Sequence, residues 1–220
     1  MSSEMIQLLV LAGIVVFMVL RLRNALGTRD GFEGPPRSSR FGEPQKKAPE
    51  FEVIEGGVDR DITDHVEENS DTADALARMK RIEPSFSVNE FVGGARGAYE
   101  MILMAFEKGD LDSIRPFLAD DVFEAFDSVV ASRADQGLTV EAEFIGLREV
   151  KLANARFVDD TRKATIDMRF VAELTSVVKN ADGEVVEGDA REIRRQKDVW
   201  SFSRVMGSDD PNWQLTATGE

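Results

Sequence analysis

Residues 163–178 read KATIDMRFVAELTSVV, and this stretch decides the fold. Its even positions Ala164, Ile166, Met168, Phe170, Ala172 and Leu174 are apolar, whereas Lys163, Thr165, Asp167, Arg169 and Glu173 are polar. A period of two sends alternate side chains to opposite faces, so the segment predicts a strand in a sheet with one buried face. Upstream, residues 139–158 also read as strand, with a bulge or bend where the apolar parity shifts between Phe144, Ile145 and Leu147. Downstream, residues 180–183 (NADG) form a hairpin turn whose glycine supplies a positive φ. Residues near 189–206 then return as a strand with Trp200 and Phe202 on one face. After the Asp209-Asp210-Pro211 turn, Trp213 and Leu215 begin a last short strand.

Before the sheet the period changes to that of a helix. Residues 88–108 carry Phe91, Ala95, Ala98, Tyr99, Ile102 and Phe106 at spacings of three and four. Gly109-Asp110 ends this helix and caps a second, which places Leu111, Ile114, Phe117 and Leu118 on one face and is distorted or shortened by Pro116. Asp120 or Asp121 caps a third, whose face is Val122, Phe123, Phe126, Val129 and Val130 and which ends near Gly137. Three helices followed by an antiparallel meander make an α+β domain over residues 86–220, helices on one face of a curved sheet. The concavity is lined by Phe91, Ala95, Tyr99, Ile102, Phe123, Phe126, Phe144, Met168, Phe170, Trp200, Phe202 and Trp213. These residues read either as a solid core or as an apolar pocket, and solid core is the commoner outcome at such spacings.

The segment preceding the domain is of another kind. From Met5 to Leu20 the chain is MIQLLVLAGIVVFMVL, without a charge, and counting Leu22 the stretch reaches about 27 Å as a helix. That is close to the roughly 30 Å of a hydrocarbon core, and Arg21 and Arg23 can snorkel to the head groups. A cleaved signal peptide wants a basic start, and Glu4 is the only charge before the apolar run. Residues 1–22 are therefore expected to be a transmembrane anchor. All the flanking cations (Arg21, Arg23, Arg29, Arg37, Arg40, Lys46, Lys47) follow the uncharged run Met5–Leu20, which puts the C-terminal domain in the cytoplasm. Residues 23–69, rich in Gly and Pro up to Gly57, read as a linker. The stretch 21–47, which runs into it from the anchor, is basic enough to contact anionic lipid, and the part that follows is acidic. Residues 70–85 hold a short helix capped by Ser70 or Asp71 and stopped before Pro84, with Ala73, Leu76, Ala77 and Lys80 on one face.

Composition narrows the function. The chain of 220 residues has 41 Asp+Glu against 27 Lys+Arg, a net charge of −14, which disfavours nucleic acid as a partner. It has no Cys and one His, His65, in the acidic linker, where a solvated role is expected. No thiolate or polyhistidine metal site, cofactor or nucleophilic triad is expected from that inventory. An isomerase or dehydratase would need an oxyanion donor and an inward carboxylate. Tyr99, the only Tyr, suits the first role. Asp167 and Glu173 fall on the outer parity, so no acid is expected beside it.

Two blocks resemble a known family. They are Glu83-Pro84-Ser85-Phe86 with Phe91, Gly94-Ala95, Ala98-Tyr99, Ala105-Phe106, Gly109-Asp110 and Arg115-Pro116, and Asp198-Val199-Trp200-Ser201-Phe202 with Asp210-Pro211-Asn212-Trp213-Gln214-Leu215. The chain from about residue 70 to 220 resembles the C-terminal domain of translocase of inner mitochondrial membrane subunit 44, and especially its bacterial, membrane-anchored TimA forms. The resemblance implies a nuclear-transport-factor-2-like or cystatin-like cone. It also implies a non-catalytic adaptor or scaffold at the bacterial inner membrane, linked to protein transport. Its partner would be a membrane or cytoplasmic protein such as a chaperone or translocase. Binding of a lipid or small hydrophobic ligand in the cone is the alternative, and an enzyme using Tyr99 the second one.

Overall fold

A computed structural model describes residues 59–219. The expected membrane segment and the linker up to residue 58 lie outside the described residues. Among the described residues no helix is long and apolar enough to cross a membrane.

The helices are α1 (Arg60–Thr63), α2 (Asp71–Ile82), α3 (Val88–Lys108) and α4 (Asp120–Asp135), with a 3-10 turn at Asp112–Phe117 between the last two. The strands are β1 (Thr139–Val158), β2 (Lys163–Lys179), β3 (Val185–Val205) and β4 (Gln214–Gly219). They form one antiparallel sheet in the order β1-β2-β3-β4. The domain is α+β, with helices packed on one face of a four-stranded meander.

The alternation in β2 does what its period requires. Ala164, Ile166, Met168, Phe170 and Ala172 are fully buried beneath the helices, and Leu174 is nearly so. Each large apolar side chain withdrawn from water there contributes about 1.5–3 kcal/mol. In β1 the register shifts between Phe144 and Gly146, Leu147 and Glu149, and Leu152 and Asn154. These three irregularities bend the strand and blunt a free edge that would otherwise template further pairing. At the β2–β3 hairpin Gly183 has φ 81°, the conformation its turn demands.

The long helix α3 has a sharply defined start and end. The Ser87 side chain accepts from the Glu90 N–H, and Gly109 closes the C-terminus in the left-handed region at φ 74°. A second acceptor comes from outside the helix. The Asp61 carboxylate accepts from Val88 N at 2.8 Å, Asn89 N at 2.9 Å and Ser87 Oγ at 3.1 Å, while Lys80 Nζ lies 2.8 Å away. Burial alone would raise the Asp61 pKa. The bonds from Lys80, Asn89, Val88 and Ser87 outweigh it and hold the carboxyl well below the usual range.

Four sequence expectations change here. The stretch expected to stay a linker through residue 69 is structured from Asp59, because Ile62 is buried and Asp61 caps α3. The segment near residues 111–118 is distorted at Pro116 as expected, to a 3-10 turn, but Leu111 rather than Asp110 holds its N-cap position. Ala119 occupies the N-cap of α4, and Asp120 instead pairs with Arg115. His65, expected to be solvated, has its Nε2 2.8 Å from Asn89 Oδ1. The short helix is α2. Ser70 caps it by accepting from Ala73 N, and it seats Ala73, Ala75, Leu76 and Met79 against the sheet on the β1 side.

Candidate functional site

The connection between α2 and α3, the first half of α3 and the β3–β4 turn enclose a groove of about 340 Å³. Its floor is aromatic. Phe91 meets Trp213 edge to face with centroids 4.7 Å apart, Phe86 lies 5.9 Å from Trp213, and Phe202 is 6.1 Å from Phe91. Its α3 wall carries Gly94, Ala95 and Ala98, residues whose small or absent side chains leave the space open. A Cβ built on Gly94 meets nothing within 4 Å.

One ion pair frames the rim. Arg204 Nη2 donates to Glu83 Oε2 at 2.6 Å, and Nη1 donates to the Pro211 carbonyl at 3.2 Å. The Gly207 N–H adds a 3.0 Å bond to the same Glu83 oxygen. The guanidinium also stands over the Trp213 ring at 5.4 Å, so one cation fixes both the turn and the aromatic floor. Arg204, with the Gly207 N–H, lowers the Glu83 pKa against the opposing effect of burial.

Of the residues expected to line a concavity, Phe91, Ala95, Ile102, Phe202 and Trp213 line this groove. Met168, Phe170, Tyr99 and Trp200 lie in solid core instead. Tyr99 stacks on Phe170 at 4.3 Å and leans on Trp200 at 4.5 Å, with Phe144 at 6.4 Å. Phe123 lies under Arg115 at 4.5 Å, and Phe126 packs on Phe106 at 4.5 Å. The centre is therefore filled, and the open volume is at one end.

The sequence reading missed two inward charges. Asp198 pairs across the sheet with Phe170, and its Oδ2 accepts from the Tyr99 hydroxyl at 2.5 Å. An acid thus does stand beside Tyr99, contrary to expectation. Burial first, and the Asp198 carboxylate second, push the Tyr99 pKa up, so the phenol stays protonated and acts as a donor. Arg204 pairs with Ala164 in the same way. Both were readable, because Asp198 and Arg204 share the even parity of Trp200 and Phe202. Neither the Tyr99 hydroxyl nor its partner reaches the groove, and Tyr99 is 0% exposed. Among the described residues no cluster of His, Asp or Glu has the makings of a metal site.

Fold and site define a helix-on-sheet α+β domain with an aromatic groove clamped by one ion pair. The chain belongs to the Tim44-like domain family, whose model matches residues 72–220. It is 24% identical over 187 residues to the human mitochondrial import inner membrane translocase subunit TIM44, covering 80% of this chain and 41% of that one. An Arabidopsis thaliana subunit, TIM44-1, is 20% identical over 71% of this chain and 34% of its own length. An uncharacterised protein of Rickettsia prowazekii (strain Madrid E) is 26% identical over 61% of this chain and 70% of its own length. The chain thus spans less than half the length of the human and plant relatives. The crystal structure of the intermembrane space region of the chloroplast protein ARC6 aligns with 58% of this chain at TM-score 0.39 and 12% identity.

Proposed function

We propose that this domain is the partner-binding module of a membrane-tethered, non-catalytic adaptor that serves protein transport. The groove carries the reading. An aromatic floor gives an apolar segment of a protein a dry contact, and the Glu83–Arg204 rim offers it charged hydrogen-bonding groups. The translocase subunits to which the chain is similar support transport as the setting. A buried donor–acceptor pair in a filled centre suits a structural role for Tyr99 and Asp198 better than turnover.

The wider architecture belongs to the same proposal. Residues 1–22 anchor the chain in a bacterial inner membrane with the N-terminus outside. Residues 23–69 connect the anchor to a cytoplasmic domain, residues 70–85 form the docking helix, and residues 86–220 form a nuclear-transport-factor-2-like cone. A reporter active only outside the cytoplasm, fused after Glu220, stays silent on this topology.

The decisive experiment places a photoreactive residue at Gly94 in the full chain, in intact cells, with Glu124 on α4 as the control position. Protein adducts of a chaperone or membrane protein at Gly94, absent at Glu124, are expected. Adducts with lipid alone at Gly94 overturn the adaptor reading in favour of a lipid-binding groove.

A further inference from the structure

The face of the sheet turned away from the helices carries more cations than the domain's own ion pairs use. Residues 86–220 hold 16 basic and 26 acidic residues, so the domain as a whole is acidic. Yet Arg148, Lys151, Arg156, Arg169, Arg195 and Lys197 all stand on this one face, as their pairing with odd positions of β2, or their contact with one, requires. Glu173 is shared by Arg148 and Arg195, and Asp167 is held by Arg156. Lys151 Nζ lies 3.3 Å from Glu149 on its own strand, whereas Arg169 and Lys197 form no ion pair among the described residues.

Two details point outward. Lys151 lies directly opposite Arg169 in the β1–β2 register, and like charges facing each other across strands are destabilising. Beside this pair, Val171 is opposite Lys197 and Val199 opposite Arg169. The result is a checkerboard of two half-buried valines and two exposed cations at the centre of the face. Glu149 meets the charge of Lys151 alone, so Arg169 and Lys197, each beside a valine, are the cations that an outside carboxylate can pair.

We infer that this outer sheet face docks an acidic amphipathic helix of a protein partner, with its apolar stripe on Val171 and Val199 and its carboxylates at Arg169 and Lys197. Charge complementarity commits the surface to an acidic partner. Glu149, Asp167 and Glu173 are interspersed among the cations. These acids are paired within the face, but the acidic domain as a whole repels a continuous anionic surface such as a bilayer, whereas a discrete helix meets this face alone. This surface is separate from the groove and does not depend on it.

The test uses the full chain reconstituted in phosphatidylcholine vesicles, with a photoreactive residue at Val199. The probe is a synthetic helix of about 18 residues, long enough at ~1.5 Å per residue to cross the four strands, with leucine on one face and glutamate on both flanks. Capture of this peptide is expected, with a fall of about tenfold in the Arg169→Glu, Lys197→Glu variant. A lysine-flanked counterpart should not be captured. Arg169→Glu alone should raise the thermal midpoint by about 2–4 °C, since it replaces a like-charge pair by an opposite one. The groove variant Gly94→Leu should leave capture unchanged, which separates this inference from the proposed function. The inference fails if the glutamate peptide is not captured, or if both peptides are captured alike. It also fails if, once phosphatidylglycerol is added, lipid is captured instead.

Discussion

The centre of the helix–sheet interface and its open end are built from the same materials and behave differently. Both set aromatic rings of α3 against aromatic rings of β3. Both hold a polar pair on inward positions, Tyr99 with Asp198 in one and Glu83 with Arg204 in the other. In the centre, Tyr99, Phe170 and Trp200 interleave and leave no room. At the end, α3 offers Gly94 and Ala98 where bulk would be needed to close the gap, and Trp213 is only half-buried. Whether an aromatic cluster becomes core or binding surface is decided here by the small residues beside it.

The sharpest way to break this comparison is to remove bulk from the filled side. Trp200→Ala should destabilise the domain by about 3–5 kcal/mol, read by urea unfolding, since the indole is 3% exposed. Wild-type stability would mean that the centre is as yielding as the groove.

Tyr99→Phe keeps the ring and deletes only the hydroxyl. A loss of about 1.5–3 kcal/mol is expected, as the bond reaches a carboxylate. The same chemistry at the groove should respond to pH. Glu83 has a pKa lowered below 4.5 in the folded state, so the unfolded chain binds the proton more readily. Its stabilisation is present above that ordinary value and disappears as pH falls through the lower folded one. Glu83→Gln should cost about 1–2 kcal/mol at pH 7 and should flatten the decline in stability below pH 4.5, measured as thermal midpoint against pH.

The smallest effect should have the opposite sign. Gly94 lies inside a helix with no neighbour in the path of a Cβ, so Gly94→Ala should stabilise by about 0.5–1 kcal/mol. Stability and partner capture then separate: alanine leaves most of the groove, and leucine at the same position fills it.

Much of this was legible in the residues. The alternation in β2, the boundaries of α3 and the cap at Ser70 follow from periodicity and from groups that must be satisfied locally. The parity rule reached Trp200 and Phe202 but was not extended to Asp198 and Arg204 on the same strand, where a charge on the inward side demands a partner distant in sequence. The position of the groove was beyond local rules. Phe86 and Trp213 are 127 residues apart by number (213 − 86), and only the closed meander brings their rings together. The seating of α2 depends on distant partners as well. Its stripe is weak by composition, and Met79 became core because the β1 side of the sheet was there to receive it.

The carboxylate of Asp61 has a mechanical consequence. It grips the first turn of α3 by three bonds and Lys80 by a fourth, within two residues of Asp59. Bonds that share one anchor point bear a pull in parallel, so tension applied at Asp59 is divided among them rather than breaking them one at a time. The load passes to α3, which lies along the buried face of the sheet, and to α2 through Lys80. A tug on the N-terminal side of this domain is therefore spread over its stiffest elements before any strand is peeled from the sheet.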